Sequence, residues 1–253
     1  VIPATEPESR EKEDPHCRIL KFAPMTMCRT AVILPPMTDD NISADKAIDA
    51  ALHLDGDPQK VRAFYDEWAK NYDIDTTNTG YVGPRIAAKL FHQFDRAERQ
   101  GVCFFSNVLD AGCGTGLVGD ELSTLGYEQI DGFDLSDAMA LKASETGSYR
   151  EVKGGIDMMQ AVQYYRPQSY AGVLSVGVFT LGHVPPEALN VLVELLRPGG
   201  LLVVSTRCHY YDQSNFQEKV DRLIADRQLH LLKLVRDAPY NNDGDGHYWV
   251  FRK

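Results

Sequence analysis

Asn107-Val108-Leu109-Asp110-Ala111-Gly112-Cys113-Gly114-Thr115-Gly116-Leu117-Val118-Gly119 reads as a short apolar strand, a glycine turn and the start of a helix. Glycines at 112, 114 and 116 remove β-carbons where a strand must turn sharply, so a bulky ligand can lie against bare backbone. The first amides of the following helix then point at that ligand. Gly114-x-Gly116-x-x-Gly119 also matches the dinucleotide fingerprint, which leaves a nicotinamide-dependent oxidoreductase as a rival reading. Two acids separate the rivals. Asp110 precedes the turn at the strand's carboxyl end, so its carboxylate is expected to face the crevice, repelling a pyrophosphate and attracting a sulfonium or ammonium. Asp134 closes a second apolar run, Ile130-Asp131-Gly132-Phe133-Asp134, at about the spacing where an acid grips ribose hydroxyls. Two acids and three glycines suit a cationic nucleoside.

The run Asp110-Ala111-Gly112-Cys113-Gly114-Thr115-Gly116 resembles the first motif of the class I S-adenosylmethionine-dependent methyltransferases, and the resemblance extends over roughly residues 60 to 253. Within that class, Phe64-Tyr65-Asp66-Glu67-Trp68-Ala69-x-x-Tyr72-Asp73, Gly116-Leu117-Val118-Gly119 and Pro198-Gly199-Gly200-Leu201 with Ser205-Thr206-Arg207 are similar to the Williams–Beuren-region methyltransferase-like proteins. The resemblance implies an α/β fold with a Rossmann-like seven-stranded sheet, mostly parallel, with a C-terminal antiparallel hairpin and helices on both faces. It implies S-adenosyl-L-methionine as cofactor, with Asp110, Gly112, Cys113, Gly114, Gly116, Leu117 and Asp134 against it. Helices before the first strand would cap the cleft, and Tyr72 matches the aromatic that leans over it. Leu135 and Met139 would lie near the adenine, Asp157 would accept the adenine amino proton, and the adjacent amide at Met158 would read a ring nitrogen.

The chain of 253 residues is long enough for one sizeable core, and a single α/β domain over 58–253 with a largely disordered extension over 1–57 is the expectation. A net charge of −10 argues against broad contact with phosphate backbones. Five scattered cysteines with no C-x-x-C pairing point to reduced thiols in a cytoplasmic protein, with no metal site and no disulfide framework. No apolar run is long enough for a membrane span. The leader is rich in Pro and Glu and opens on Val1, with Met25, Met27 and Met37 inside it, so its first part is read as an upstream translation or an expression artefact. Asp39 to Leu54 suits one short amphipathic helix.

Pro58 to Asn71 reads as a helix with Val61, Phe64, Tyr65 and Trp68 on one face, an aromatic stripe that either packs a core or covers the cofactor. A π face beside a sulfonium is worth about 1 kcal/mol. Thr76 to Gly80 is expected as a loop and Tyr81 as the restart of a helix running to about Arg99. Further on, strands are expected at Val108–Asp110, Ile130–Asp134, Tyr149–Val152, Tyr170–Val178, Leu201–Ser205, His230–Val235 and His247–Phe251. Ser136 is placed as a helix cap. Tyr170 to Val178, which includes Val176, is a continuous apolar run of a central strand and should carry the floor of the site.

Methyl transfer from a sulfonium needs alignment and exclusion of water more than a dedicated base. Where the acceptor is a hydroxyl or a protonated amine, a base helps, and His183 lies where that acceptor should arrive. Arg207, beyond the fifth strand, suits a carboxylate or phosphate on the acceptor. The fourth strand is not followed by Asn or Asp with Pro-Pro and an aromatic, the pattern associated with methylation of exocyclic base amines, and a small-molecule acceptor is therefore expected. A module that binds the nucleoside and acts through a protein partner, without catalysis, stands as a further alternative.

Overall fold

The computed structural model describes residues 39–99, 106–242 and 244–253. The expectations for residues 1–38 and for Cys103 lie outside them. A seven-stranded sheet forms the middle layer: β1 (Val108–Ala111), β2 (Ile130–Phe133), β3 (Glu151–Lys153), β4 (Tyr170–Phe179), β5 (Leu196–Arg207), β6 (His230–Asn241) and β7 (Gly244–Arg252). Their order is β3-β2-β1-β4-β5-β7-β6, parallel up to β5, with β7 inserted antiparallel between β5 and β6. This is the expected sheet, including its closing hairpin.

Both faces of the central strands are covered, and neighbouring residues on a strand enter opposite cores. Leu109, Val173, Leu202 and Trp249 pack with α7 (Ala188–Leu195) and α9 (Phe216–Ala225). Val108, Leu174, Val203 and Val250 pack with α4 (Gly83–Arg99) and α5 (Leu117–Thr124). Alternation of side chains along a strand requires this two-sided burial, and it is why β4 reads as an unbroken apolar run.

The cleft opens at the carboxyl ends of the parallel strands, where the order reverses between β1 and β4. Over it lie α1 (Asp39–Leu52), α2 (Pro58–Trp68) and α3 (Tyr72–Asn78). Part of the leader is thus helical: Ala51 is buried, and the Gly56 amide donates to the Gly182 carbonyl at 3.0 Å. Asp57 caps α2 by accepting from the Gln59 amide at 2.9 Å, with Pro58 inside the first turn.

Several local expectations are corrected. Thr76 to Asn78 belong to α3, whose first turn carries Asp73 and Asp75, acids that suit the positive end of a helix. The next helix starts at Gly83 rather than Tyr81, and Tyr81 is left to line the cleft. A short helix, α8 (Cys208–Gln213), follows β5. The hairpin strands run further than the apolar pattern shows, because shifts of register around Val235–Ala238 and Pro239–Asn241 let β6 stay paired past polar residues. Residue 237 takes a left-handed φ of 48° within the first of these.

Candidate functional site

β1 ends in the glycine turn, and the carbonyl of Phe133 at the end of β2 accepts from both the Gly112 and Cys113 amides at 2.9 Å. Gly112 adopts φ 78°, and a β-carbon there would lie 2.5 Å from Val178 Cγ2, so β4 can approach only bare backbone. Gly114 is also left-handed, at φ 54°, but a β-carbon would meet nothing within 4 Å. Its open side is a cradle for a ligand.

Asp134 stands beside this cradle. One carboxylate oxygen accepts from the Gly114 amide at 2.8 Å and the other from the Ser136 amide at 2.9 Å. Each oxygen retains a lone pair for a hydroxyl donor. Burial raises its pKa to about 6, against the pull of those amides. Ser136 caps α6 (Asp137–Glu145) by accepting from the Met139 amide at 3.1 Å, as expected.

These groups line a cavity of about 330 Å3. Of the expected residues, Tyr65, Tyr72, Gly112, Cys113, Gly114, Leu117, Asp134, Leu135, Met139, Asp157, Met158, Val176 and His183 border it. Asp157 spends one oxygen on the Met159 amide at 2.9 Å, capping the 3-10 helix Met158–Gln163. Trp68 and Arg207 instead line a smaller side chamber of about 80 Å3.

Asp110 and Gly116 are the corrections. Asp110 is fully buried and does not border the cavity; one oxygen accepts the Tyr149 hydroxyl at 2.6 Å, and the other has no partner among the described residues. Burial raises its pKa to about 7, opposed by that hydroxyl and reinforced by the charge of Asp134. A strand residue in an all-buried β1 has nowhere exposed to point, so the acid lies beneath the turn. Gly116 serves the backbone: at φ 102° it caps α5, and a β-carbon there would be crowded by Ala143 and Tyr149, each at 3.1 Å.

Side chains not singled out from the sequence hold the cover down. Asp66 on α2 accepts from the Ser136 hydroxyl at 2.6 Å and the Ala138 amide at 3.2 Å, while Arg62 pairs with Asp137. Asp73 on α3 accepts the Thr115 hydroxyl at 2.5 Å. Asp66 and Asp73 stood inside a quoted motif, but only the fold reveals their partners. Nothing near Tyr149 in the sequence signals its place under the turn, where its oxygen also accepts from the Gly119 amide at 3.0 Å.

On the opposite wall, His183 Nδ1 lies 2.9 Å from the Leu181 carbonyl and Nε2 lies 2.8 Å from the Tyr65 hydroxyl. A carbonyl only accepts, so Nδ1 carries the proton and Nε2 is the basic nitrogen, taking the Tyr65 hydroxyl as donor. Burial lowers the His183 pKa and raises that of Tyr65. Elsewhere Cys208, Asp237 and His247 place ligand atoms within 4.8 Å of one another, but His247 Nδ1 already accepts the Asp237 amide at 3.1 Å. Cys113 and Cys208 are free, and among the described residues no helix is long and apolar enough to cross a membrane.

A family described as a methyltransferase domain matches residues 79–253. Human methyltransferase-like protein 27 is 34% identical over 157 residues, 62% of this chain and 60% of the human protein. A mitochondrial ubiquinone biosynthesis O-methyltransferase of Dictyostelium discoideum is 26% identical over 111 residues, 40% of this chain and 35% of that protein. The chain therefore matches less than two thirds of the length of either relative. A TehB-like SAM-dependent methyltransferase from Corynebacterium glutamicum superposes with a TM-score of 0.54 at 21% identity, over 76% of this chain and 98% of the other. At that identity the likeness concerns the fold.

Proposed function

We propose that this chain, which belongs to the methyltransferase domain family, transfers the methyl group of S-adenosylmethionine to a small-molecule acceptor. The observation that carries the reading is Asp134: a carboxylate pinned by two backbone amides beside the open face of Gly114, with lone pairs to spare for a ribose diol. The rest of the cavity fits the same molecule. Ile156, Met139 and Met158 offer an apolar slot for an adenine, with Asp157 at its edge. Asp110 lies beneath the turn without bordering the cavity, so its carboxylate favours a cationic amino-acid tail by its field rather than by contact. A pyrophosphate would meet the Asp134 carboxylate at the cavity wall, with Asp110 beneath the turn behind it, which disfavours a nicotinamide cofactor.

When bound, the cofactor supplies a methyl group on a sulfonium that departs as a neutral thioether. The chain's part is to close, orient and hold a proton. Tyr65 and Tyr72 cover the cavity from α2 and α3, and His183 Nε2 is unprotonated at neutral pH because burial disfavours the imidazolium. An acceptor hydroxyl arriving at that wall would pass its proton to the Tyr65 oxygen while Tyr65 passes its own to Nε2, whose single lone pair the Tyr65 hydroxyl occupies. The scattered cysteines of the sequence, odd in number, suit a reducing, cytoplasmic setting.

Parallel calorimetric titrations with S-adenosylmethionine, S-adenosylhomocysteine and NADH test the reading. Binding of the adenosyl ligands alone is expected. Binding of NADH alone would overturn it. A chain that binds the adenosyl ligands yet forms no S-adenosylhomocysteine with a broad panel of acceptors would be a binding module instead.

A further inference from the structure

The side chamber touches the main cavity through Tyr65, Tyr72, Tyr81, Gly177 and His183, which border both spaces. Its walls are aromatic. Trp68 and Tyr72 meet edge to face at 4.8 Å, and Tyr81 and Tyr240 lie 5.1 Å apart at the other side. Trp68 spends its indole N–H on Asp75 at 2.7 Å, so no indole donor is left for the chamber. At the far end is Arg207, half-buried, its guanidinium 5.0 Å from the Tyr240 ring centroid. Among the described residues no carboxylate borders the chamber and none forms an ion pair with Arg207.

A half-buried cation that rests on a π face and, among the described residues, has no carboxylate paired with it can still take one, since a planar guanidinium is made for a carboxylate. Flat aromatic walls on either side select a flat molecule. The chamber is small enough that one ring fills it. At its inner edge stands the Tyr65–His183 pair, with Nε2 as acceptor because Nδ1 is committed to the Leu181 carbonyl.

We infer that this chamber binds a planar aromatic carboxylate, with its carboxylate on Arg207, its ring between the tyrosines and Trp68, and a ring hydroxyl presented to Tyr65 and His183 on the cofactor side. The inference rests on the reading of the main cavity as the S-adenosylmethionine site and names the class of acceptor that site serves. Charge selects the acid, and the aromatic wall selects the plane.

The test uses 4-hydroxybenzoate and its neutral methyl ester as probes, added to the full chain saturated with S-adenosylhomocysteine. Trp68 lines the chamber and the other tryptophan, Trp249, is fully buried in the core, so quenching of indole fluorescence reports occupancy. The acid is expected to bind at least about tenfold more tightly than the ester. Arg207→Met should abolish that preference while S-adenosylhomocysteine affinity, followed by calorimetry, stays within about twofold, and Arg207→Lys should retain part of the preference. Equal binding of acid and ester by the unaltered chain overturns the inference without any variant, as does an Arg207→Met chain that keeps the preference. Failure of S-adenosylhomocysteine itself to bind would instead strike the proposed function, so the two failures are told apart.

Discussion

On the β1–β2 side of the cleft, the groups facing the cavity come from a short span, Gly112 to Met139, and many are backbone: left-handed glycines, a helix start, and a carboxylate fixed by amides. On the lid side they are side chains gathered from α2, α3 and the ends of β4, β5 and β6, with Tyr65 and His183 separated by 118 residues and Tyr81 and Tyr240 by 159. The first side is set by local geometry and changes little when a neighbouring side chain changes. The second exists only once the sheet has assembled. A cofactor common to a family calls for the former, and an acceptor particular to one member suits the latter.

The largest effect should come from the fixed side. Asp134→Ala removes the carboxylate and leaves the Gly114 and Ser136 amides without it, and hydrogen bonds to charged groups contribute about 1.5–3 kcal/mol each. S-adenosylhomocysteine affinity in calorimetry should fall at least about 100-fold, and the free protein should melt at a lower temperature because the two amides lose their acceptor. A loss below about fivefold would place the nucleoside elsewhere and erase the distinction between the two sides.

Tyr149→Phe tests whether the fixed side is as independent as it looks, because this residue reaches beneath the turn from just before β3. The variant loses the donor to Asp110 and the acceptor for the Gly119 amide, costing about 2 kcal/mol of folding stability in urea denaturation. The loss depends on pH in a defined sense. Asp110 titrates higher in the folded chain, at about 7, than its ordinary 3.8, so its contribution to stability is full below 3.8 and is lost as pH rises through 7. Removing the hydroxyl takes away a group that lowers this pKa, so the ionised acid is disfavoured further. The deficit should be greater at pH 8 than at pH 5; an equal deficit at both would separate Asp110 from the effect of Tyr149.

This contrast also governs what could be read from the residues alone. The glycine turn, the Asp134 position, the Ser136 cap and the unbroken apolar run of β4 are statements about neighbours in sequence, and each is found in the structure. Asp110 shows the limit: its place at the end of β1 was legible, but the direction of its carboxylate was not, because burial of β1 on both faces and the arrival of Tyr149 are properties of the assembled sheet. Likewise Arg207 and His183 were legible as groups at strand ends. Their sharing of one boundary with Tyr65 and Trp68 depends on how α2 lies across those ends, which no local pattern encodes.

The smallest effect should come from the seam between the two sides. The Thr115 hydroxyl, in the buried glycine turn, donates to Asp73 in the lid helix α3. Thr115→Val keeps the shape and removes the donor, leaving a half-buried carboxylate that can turn to water, so the cost should stay near 1 kcal/mol. If the lid depends on the turn for its position, S-adenosylhomocysteine should bind about fivefold more weakly and dissociate faster, and amides of Tyr72–Asn78 should exchange faster in the free protein while those of Leu117–Thr124 keep their protection. Unchanged exchange in both helices together with unchanged affinity would show that Asp66 and its bonds to Ser136 and Ala138 suffice to hold the cover. Faster exchange in the turn helix as well would show that lid and turn open as one unit, and the line drawn between a fixed side and an assembled side would have to move to the far edge of α3.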